Sequence, residues 1–392
     1  MELHVFNFDT FERLGVIDTY QEAIFKTNYR AHSELELVVD ATADNIDWLI
    51  TMSDDVFLTT GVGVQRGYMI ENFRYIDESQ TQIIAYLKSL SFLTSFRHIE
   101  RQTNYNGKAE IIMRQFVNDN AISPSNPNRR IANLKLGKLN NLGTSTTISY
   151  NGDQLDEALW DIAVKQDITF DILADIPNKC FLFSVWQGVD RSSEQSVLDP
   201  VIFAKEFDNI LSQDFEDDSS LWKNTAYVAG AGEGTARKII AVGDINKGRH
   251  RREIYVDARD IQDTEEQTIT IIGIGENPMD PDDNTEETIT ETVPMNAARY
   301  EALLIERGNN KLGEYERVQA FKTAIDFNSQ FKFREDYEHG DKVTIRNDEI
   351  NVAMHTRVVV AKETYDAKGY ALDIEFGSEV PNVFKKIKKV VK

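Results

Sequence analysis

Residues 22–42 read EAIFKTNYRAHSELELVVDAT, and apolar and polar side chains alternate through most of this stretch. A period of two is typical of strands that bury one face and expose the other. Two such runs, residues 22–29 and 33–42, are separated by turn-prone positions. The stretch therefore predicts two strands of a sheet that has one solvated face.

The same alternation extends in both directions from this stretch. It recurs in residues 3–9, 13–20, 55–60 and 67–77, and again in many runs between residues 169 and 377. Helical spacing interrupts it at residues 41–53, 107–121, 152–168 and 296–312. We expect Asp40 or Thr42 to cap the first helix, Asp153 to cap the third, and Gly308 to end the fourth. The sequence thus predicts an α+β, β-rich protein with strand-rich ends around a mixed α/β middle.

Composition narrows the class of protein. A chain of 392 residues is too long to fold around one ordinary hydrophobic core. Its formal net charge of -22 disfavours binding to nucleic acid backbones and anionic membranes. The single cysteine, Cys180, excludes an intrachain disulfide framework, and its apolar context predicts a buried thiol. We expect no signal peptide and no membrane insertion, because no apolar run approaches the roughly 20 residues that span a bilayer.

Residues 227–238, YVAGAGEGTARK, raise the question of a phosphate-binding loop. A P-loop starting at Gly230 would need glycine at 235 and lysine at 236, where the chain has threonine and alanine. A dinucleotide fingerprint also needs glycine at 235, followed by a helix, whereas residues 236–244 alternate like a strand. The stretch predicts a hairpin turn in which Gly232 and Gly234 adopt positive φ.

The acidic stretch at residues 280–291, DPDDNTEETITE, resembles a calcium loop only in part. Asp280, Asp282, Asn284 and Glu291 occupy ligand positions, but Thr285 replaces the glycine that an EF-hand needs for its sharp turn. A solvated loop is the favoured interpretation. No sequence motif indicates a catalytic site, a metal site or a cofactor, so we expect a protein that is not an enzyme.

The arrangement resembles the siphophage ReqiPepy-type tail protein family, the tail-hub module found at the N-terminus of tail-associated lysins. The resemblance covers roughly residues 1–378 and has no catalytic signature. It is carried, in order, by residues 1–18, 66–99, 109–134, 150–172, 252–261, 333–348 and 363–377, from MELHVFNFDTFERLGVID to ETYDAKGYALDIEFG.

The resemblance implies a phage tail-hub-like fold, with two β-barrel-like domains and interposed α/β domains. We expect a first barrel at residues 1–92, mixed α/β structure at 93–215, a second barrel with an inserted helix and acidic loop at 216–378, and a basic tail at 379–392. It also implies a homotrimeric ring at the tail tip, made in the host cytoplasm, that adapts the sixfold tail tube to a threefold tip and surrounds the DNA channel.

The implied partners are further copies of the chain, a hexameric distal tail or tail tube protein, a tip, spike or fibre protein, and tape-measure protein or DNA in the channel. Two segments are the predicted interaction sites. They are the acidic loop and the basic run FKKIKKVVK, with candidate residues Asp280, Asp282, Asp283, Glu286, Glu287, Lys385, Lys386, Lys388, Lys389 and Lys392. The alternatives are a peptidoglycan-degrading enzyme and a carbohydrate-binding adhesin.

Overall fold

The computed structural model describes residues 1–77, 81–101, 103–243, 245–273, 285–326 and 329–377. The chain divides into two compact units. One comprises Met1–Glu216 and the chain from Gln319 onward, and the other is Asp217–Val318. The first unit holds three hydrophobic cores and the second holds one.

Most secondary-structure elements along the chain are strands, and few are helices. The first part contains Leu3–Asn7 (β1), Arg13–Ile17 (β2), Glu22–Asn28 (β3), Glu34–Asp40 (β4), Ala43–Ile46 (α1), Val56–Thr59 (β5), Val64–Ile76 (β6) and Gln82–Ser89 (β7). The middle contains Thr103–Lys108 (β8), Ala109–Val117 (α2), Leu134–Leu136 (β9), Ser145–Tyr150 (β10), Leu155–Lys165 (α3), Thr169–Asp175 (β11) and Cys180–Trp186 (β12).

The remaining elements lead through the second unit and back to the first. They are Ile202–Phe203 (β13), Ile210–Asp218 (β14), Thr225–Ala229 (β15), Ile239–Val242 (β16), Glu253–Asp257 (β17), Thr264–Gly273 (β18), Thr285–Pro294 (β19), Ala297–Gly313 (α4), Val318–Ile325 (β20), Lys342–Asn347 (β21), Val352–Asp366 (β22) and Gly369–Gly377 (β23). The predicted β-rich character is confirmed.

The two strands predicted from residues 22–42 are β3 and β4, which pair antiparallel with Phe25 opposite Leu35. Phe25, Leu35 and Leu37 are buried in a core shared with β1, β2, β5, β6 and β7, while the intervening side chains point outward. The following helix begins at Thr42, whose hydroxyl accepts a hydrogen bond from the backbone N–H of Asn45 at 3.2 Å. Thr42 is therefore the cap.

A single path of paired strands joins the two strand-rich ends of the first unit. Its order is β14-β20-β23-β22-β3-β4-β7-β6, and the joint is the antiparallel pair of β22 with β3. The C-terminal strands bury their own core around Phe203, Phe321 and Phe376. The path continues from β6 into β11, β12 and β9, which pack against α2 and α3.

The cap predicted for α3 is wrong. Gln154, not Asp153, precedes the helix, and its side chain makes no capping bond. The carboxylate of Asp153 instead accepts a hydrogen bond from the backbone N–H of Asn151 at 2.9 Å. Asp153 thus closes the turn before the helix, since a short polar side chain bonds to whichever backbone donor the local turn presents.

In the second unit, β16, β15 and β17 form a sheet in that order, and α4 packs on one face of it. The predicted stop at Gly308 is wrong, because α4 continues to Gly313. A Cβ atom at position 308 would lie 2.8 Å from methyl groups of both Val228 and Val242. Gly308 is therefore present because the helix lies close against the sheet.

Within the described residues, no helix combines the length and apolar character needed to cross a membrane.

Candidate interaction surfaces

The path from β14 to β6 has an outward side, which we call the ladder face. A cross-strand row of charges runs along it. Five residues stand opposite one another in succession on β23, β22, β3, β4 and β7, namely Asp373, Lys362, Lys26, Glu34 and Lys88. Directly opposed side chains on one face lie within about 5.5 Å at their Cβ atoms, so each charge acts on its neighbours.

Glu34 on β4 lies between the two lysines Lys26 and Lys88 and contacts both of them. Its carboxylate lies 2.5 Å from the Lys88 ammonium and 3.8 Å from that of Lys26, and Lys88 also lies 3.9 Å from Glu71. These side chains are partly exposed. Each pair is therefore worth at most about 1 kcal/mol of stability, and together they make a hydrated face of mixed charge.

Two shallow hollows follow the ladder face. One of about 620 Å³ is lined by Glu34, Glu36, Glu71 and Lys88. Another of about 290 Å³ is lined by Lys26, Asp214, Lys322, Lys362, Asp373 and Glu375. The charged lining thus comprises six carboxylates and four lysines. Every cation in these linings is a lysine, a point charge without the bidentate fork that lets arginine grip a phosphate.

Both ends of the eight-strand path present strand edges. Residues 70–76 of β6 pair with β7 on one side, and β14 pairs with β20 on one side. In the described chain, no strand pairs with the opposite side of either segment. Tyr75 on β6 is 51% exposed and Leu211 on β14 is 65% exposed. Unpaired edges of this kind are templates for pairing with another chain.

A buried polar cluster connects β6, β11 and the loop before β21. The Arg66 guanidinium donates to Asp171 at 2.6 Å and to Nε2 of His339 at 3.2 Å. Burial, then the positive charges of Arg66 and Arg334, hold the pKa of His339 well below its usual range. His339 is therefore neutral, with Nε2 accepting and the proton on Nδ1, because a guanidinium can only donate.

A second cluster surrounds the carboxylate of Glu363 on β22. It accepts hydrogen bonds from the hydroxyls of Tyr365 and Tyr370 at 3.2 Å each and from Arg334 at 2.5 Å. Burial and the carboxylate raise the pKa of Tyr365 to about 12. The cluster borders a hollow of about 620 Å³. Each oxygen of Glu363 has a donor, so the carboxylate is satisfied within the fold.

These surfaces can be compared with known proteins. A model of the family described as "Siphovirus ReqiPepy6 Gp37-like protein" matches residues 2–378. The chain belongs to this family. The resemblance predicted from the sequence is thereby confirmed. No curated protein matches this chain by sequence.

The fold of this chain is also similar to solved tail protein structures. The tail protein from Neisseria meningitidis MC58 has 11% identity and a TM-score of 0.55, with 96% of this chain and 97% of that chain covered. The 43 kDa tail protein of prophage MuSo2 from Shewanella oneidensis has 9% identity and a TM-score of 0.54, with 96% and 98% covered. Prophage tail protein gp18 from Listeria monocytogenes EGD-e has 10% identity and a TM-score of 0.51, with 100% and 98% covered.

One buried constellation in this chain has the residue types of a serine hydrolase. Ser91 Oγ lies 2.8 Å from Nδ1 of His32, and Nε2 of His32 lies 3.3 Å from Asp156. However, Ser91 is 1% exposed, and its hydroxyl also lies 2.8 Å from that of Ser89. A nucleophile must be within reach of its substrate, so this group does not support the hydrolase alternative. It joins the loop between β3 and β4, the segment after β7, and α3.

The glycine-rich stretch at residues 227–238 is a turn, as predicted. Strands β15 and β16 pair antiparallel, and Gly232 and Gly234 between them have φ of 98° and 57°. Cys180 is buried, as predicted, and burial raises the pKa of its thiol.

The predicted interaction residues lie mostly beyond what the structure describes. Asp280, Asp282, Asp283 and the five lysines between residues 385 and 392 fall outside the described residues. Glu286 and Glu287 belong to strand β19, of which the structure describes the backbone at these two positions. The ladder face was not predicted from the sequence, although its signal was there: the charged residues at positions 22, 26, 34, 36 and 40 lie even numbers of positions apart.

Proposed function

We propose that this chain is a structural hub at the distal end of a phage tail or of a phage-derived injection device. The observation that carries the proposal is the eight-strand path with a charged face and an unpaired strand edge at each end, residues 70–76 of β6 and β14. The family match and the tail protein fold support the same conclusion. In this proposal, each end of the path contributes one barrel-like domain, and the mixed α/β structure lies between them.

Three copies would close a ring if β14 of one copy pairs with β6 of the next. Eight strands from each copy then make 3 × 8 = 24 strands around one channel, and the ladder face lines it. In this proposal the two barrel-like domains of each copy give the ring six repeats, which suits contact with a hexameric distal tail or tail tube protein. The three chains suit a threefold tip, spike or fibre protein.

The ladder face suits passage of a long polymer such as DNA or the tape-measure protein. Its six carboxylates repel a phosphate backbone, and its four lysines are near carboxylates that compensate them. Strong binding to DNA needs many unpaired cations. A wall of this composition lets a polyanion slide without adhering to it. The charge of -22 for the whole chain is therefore not concentrated on this face.

The mass of the purified protein in solution tests the ring. One chain has a mass of 44.7 kDa, so a trimer has 3 × 44.7 = 134.1 kDa. We expect light scattering over a concentration series to approach the trimer mass, and addition of the hexameric tail partner to favour it. A mass of one chain at every concentration, with and without that partner, would contradict the proposal. Clearing of peptidoglycan in a gel by the purified chain would support the enzyme alternative instead.

A further inference from the structure

Among the described residues, one face of the sheet in the second unit has no helix packed on it. Helix α4 packs on the other face, against Val228, Val242 and Val256. On the open face, Tyr227 of β15 stands directly opposite Tyr255 of β17. Tyr255 is 58% exposed, and Ile239 at the neighbouring edge is 51% exposed. A sheet face that carries partly exposed aromatic and aliphatic side chains has the composition of a protein interface.

Arginine side chains hold these tyrosines in place. The Arg251 guanidinium donates to the hydroxyl of Tyr227 at 2.8 Å and lies 5.5 Å from the centre of its ring. Arg237 donates to the hydroxyl of Tyr255 at 3.2 Å. Tyrosine and arginine are the residue types that contribute most binding energy at protein interfaces, and fixed rotamers lower the entropic cost of binding.

The segment that carries this face is a basic island in an acidic chain. Residues 237–259 contain seven Lys and Arg against three Asp and Glu, a net charge of +4, although the whole chain has -22. Strands β18 and β19 pair antiparallel as a hairpin. Residues 276–291, between these strands and along β19, contain seven Asp and Glu and neither Lys nor Arg. The two segments of the second unit are therefore complementary in charge.

The base of the hairpin is anchored on the helix side of the sheet in its own copy. Asp260, just before β18, pairs with Arg307 of α4 at 2.6 Å, and Glu265 of β18 pairs with Arg299 of α4. The helix lies on the face opposite Tyr255. Both contacts are made to α4, so the start of β18 is held on the helix side of its own unit.

We propose that the open face around Tyr227, Ile239 and Tyr255 binds the acidic segment at residues 276–291 of the next copy in the ring. This inference rests on the proposed function, because it needs a ring of identical chains. Each copy then gives one acidic segment and receives one, which is the head-to-tail arrangement that closes a ring. The contact would lock neighbouring copies at a place separate from the β14 and β6 edges.

Cysteine pairs test the contact directly. Tyr255→Cys combined with Glu287→Cys in one chain is expected to form disulfides between chains, giving covalent dimers and trimers on a non-reducing gel. Cys180 is buried and adds no background. The matched control is Glu301→Cys with Glu287→Cys, because Glu301 is exposed on α4 and should give no ladder. Absence of a ladder for the Tyr255 pair, or a disulfide within one chain, would overturn the proposal.

A second measurement separates failure of this contact from failure of the ring. We expect the double variant Ile239→Ser, Tyr255→Ser to raise the concentration at which half of the trimer dissociates by about tenfold or more. Added salt should also raise this concentration for the wild-type chain, because it screens the attraction between opposite charges. An unchanged dissociation midpoint would overturn this contact and leave the ring in place. A wild-type monomer at all concentrations would remove both. Loss of binding to a labelled DNA duplex, with the trimer unchanged, would show that the face binds polyanions and overturn the proposal.

Discussion

Lys26 lies directly opposite Lys362 where β3 pairs with β22, the joint between the two strand-rich ends of the chain. Like charges directly opposite each other destabilise a sheet. Each lysine is flanked on its other side by a carboxylate, Glu34 for Lys26 and Asp373 for Lys362. The two carboxylates therefore offset the repulsion between Lys26 and Lys362 at this joint.

A double-mutant cycle measures this repulsion. We expect Lys26→Met and Lys362→Met, singly and together, to give a coupling free energy of about 0.2–1 kcal/mol with the sign of repulsion. The coupling should shrink as salt rises, because both side chains are partly exposed. The measurement is urea unfolding at low and high ionic strength. A coupling of attractive sign would contradict the register between β3 and β22.

The close approach of α4 to its sheet predicts the effect of adding one methyl group. Gly308→Ala places a Cβ atom 2.8 Å from methyl groups of Val228 and Val242, and overpacking of this kind costs about 1–3 kcal/mol. Alanine's better helix propensity returns up to about 1 kcal/mol, so the expected result is a net loss of stability in urea unfolding.

Gly313 at the end of the same helix is the matched control. A Cβ atom there meets no atom within 4 Å. Gly313→Ala should therefore be neutral or stabilising in the same assay. If both variants are stabilised equally, the helix does not lie against the sheet as the structure has it.

The sequence predicted the strands well where one face is solvated and the other buried, as in residues 22–42, because alternation reports burial directly. It failed at Gly308, where the reason for glycine is a contact with Val228 and Val242 that are far away in sequence. It also failed to find the ladder face. The charges of β3 and β4 are visible in the sequence, but their alignment with Lys362 depends on a register between strands more than 300 residues apart.

The buried pair of Arg66 and Asp171 predicts a large loss of stability when one partner is removed. The Asp171 side chain is 7% exposed and that of Arg66 is 18% exposed. Asp171→Ala leaves a buried guanidinium without its carboxylate, which typically costs about 3–5 kcal/mol. The comparison is Glu301→Gln, which breaks the exposed pair with Lys238 and should change stability by less than about 1 kcal/mol. Equal effects of the two variants would exclude a buried ionic cluster.

His339 predicts a dependence of stability on pH. Its pKa is lowered in the folded protein by burial, Arg66 and Arg334, whereas an unfolded chain has a histidine pKa of about 6.5. Below that pH the unfolded state binds a proton that the folded state does not bind, so stability falls as pH falls, by up to about 1.4 kcal/mol per pH unit. His339→Gln should reduce this slope between about pH 6.5 and 5, and the exposed His250→Gln is the control. Identical slopes for wild type and His339→Gln in urea titrations would refute the assignment.

The strand edges predict how the ring can be opened without unfolding the chain. Lysine at a strand edge opposes pairing with another chain, because its charge must stay hydrated. Tyr75→Lys on β6 and Leu211→Lys on β14 should each shift the mass in light scattering from 134.1 toward 44.7 kDa, three chains and one chain respectively. Val197, which is 89% exposed on a loop of the same unit, supplies the control. Val197→Lys introduces the same charge away from both edges and should leave the mass unchanged. If all three variants behave alike, the copies do not meet through β6 and β14, and an interface elsewhere on the chain must close the ring.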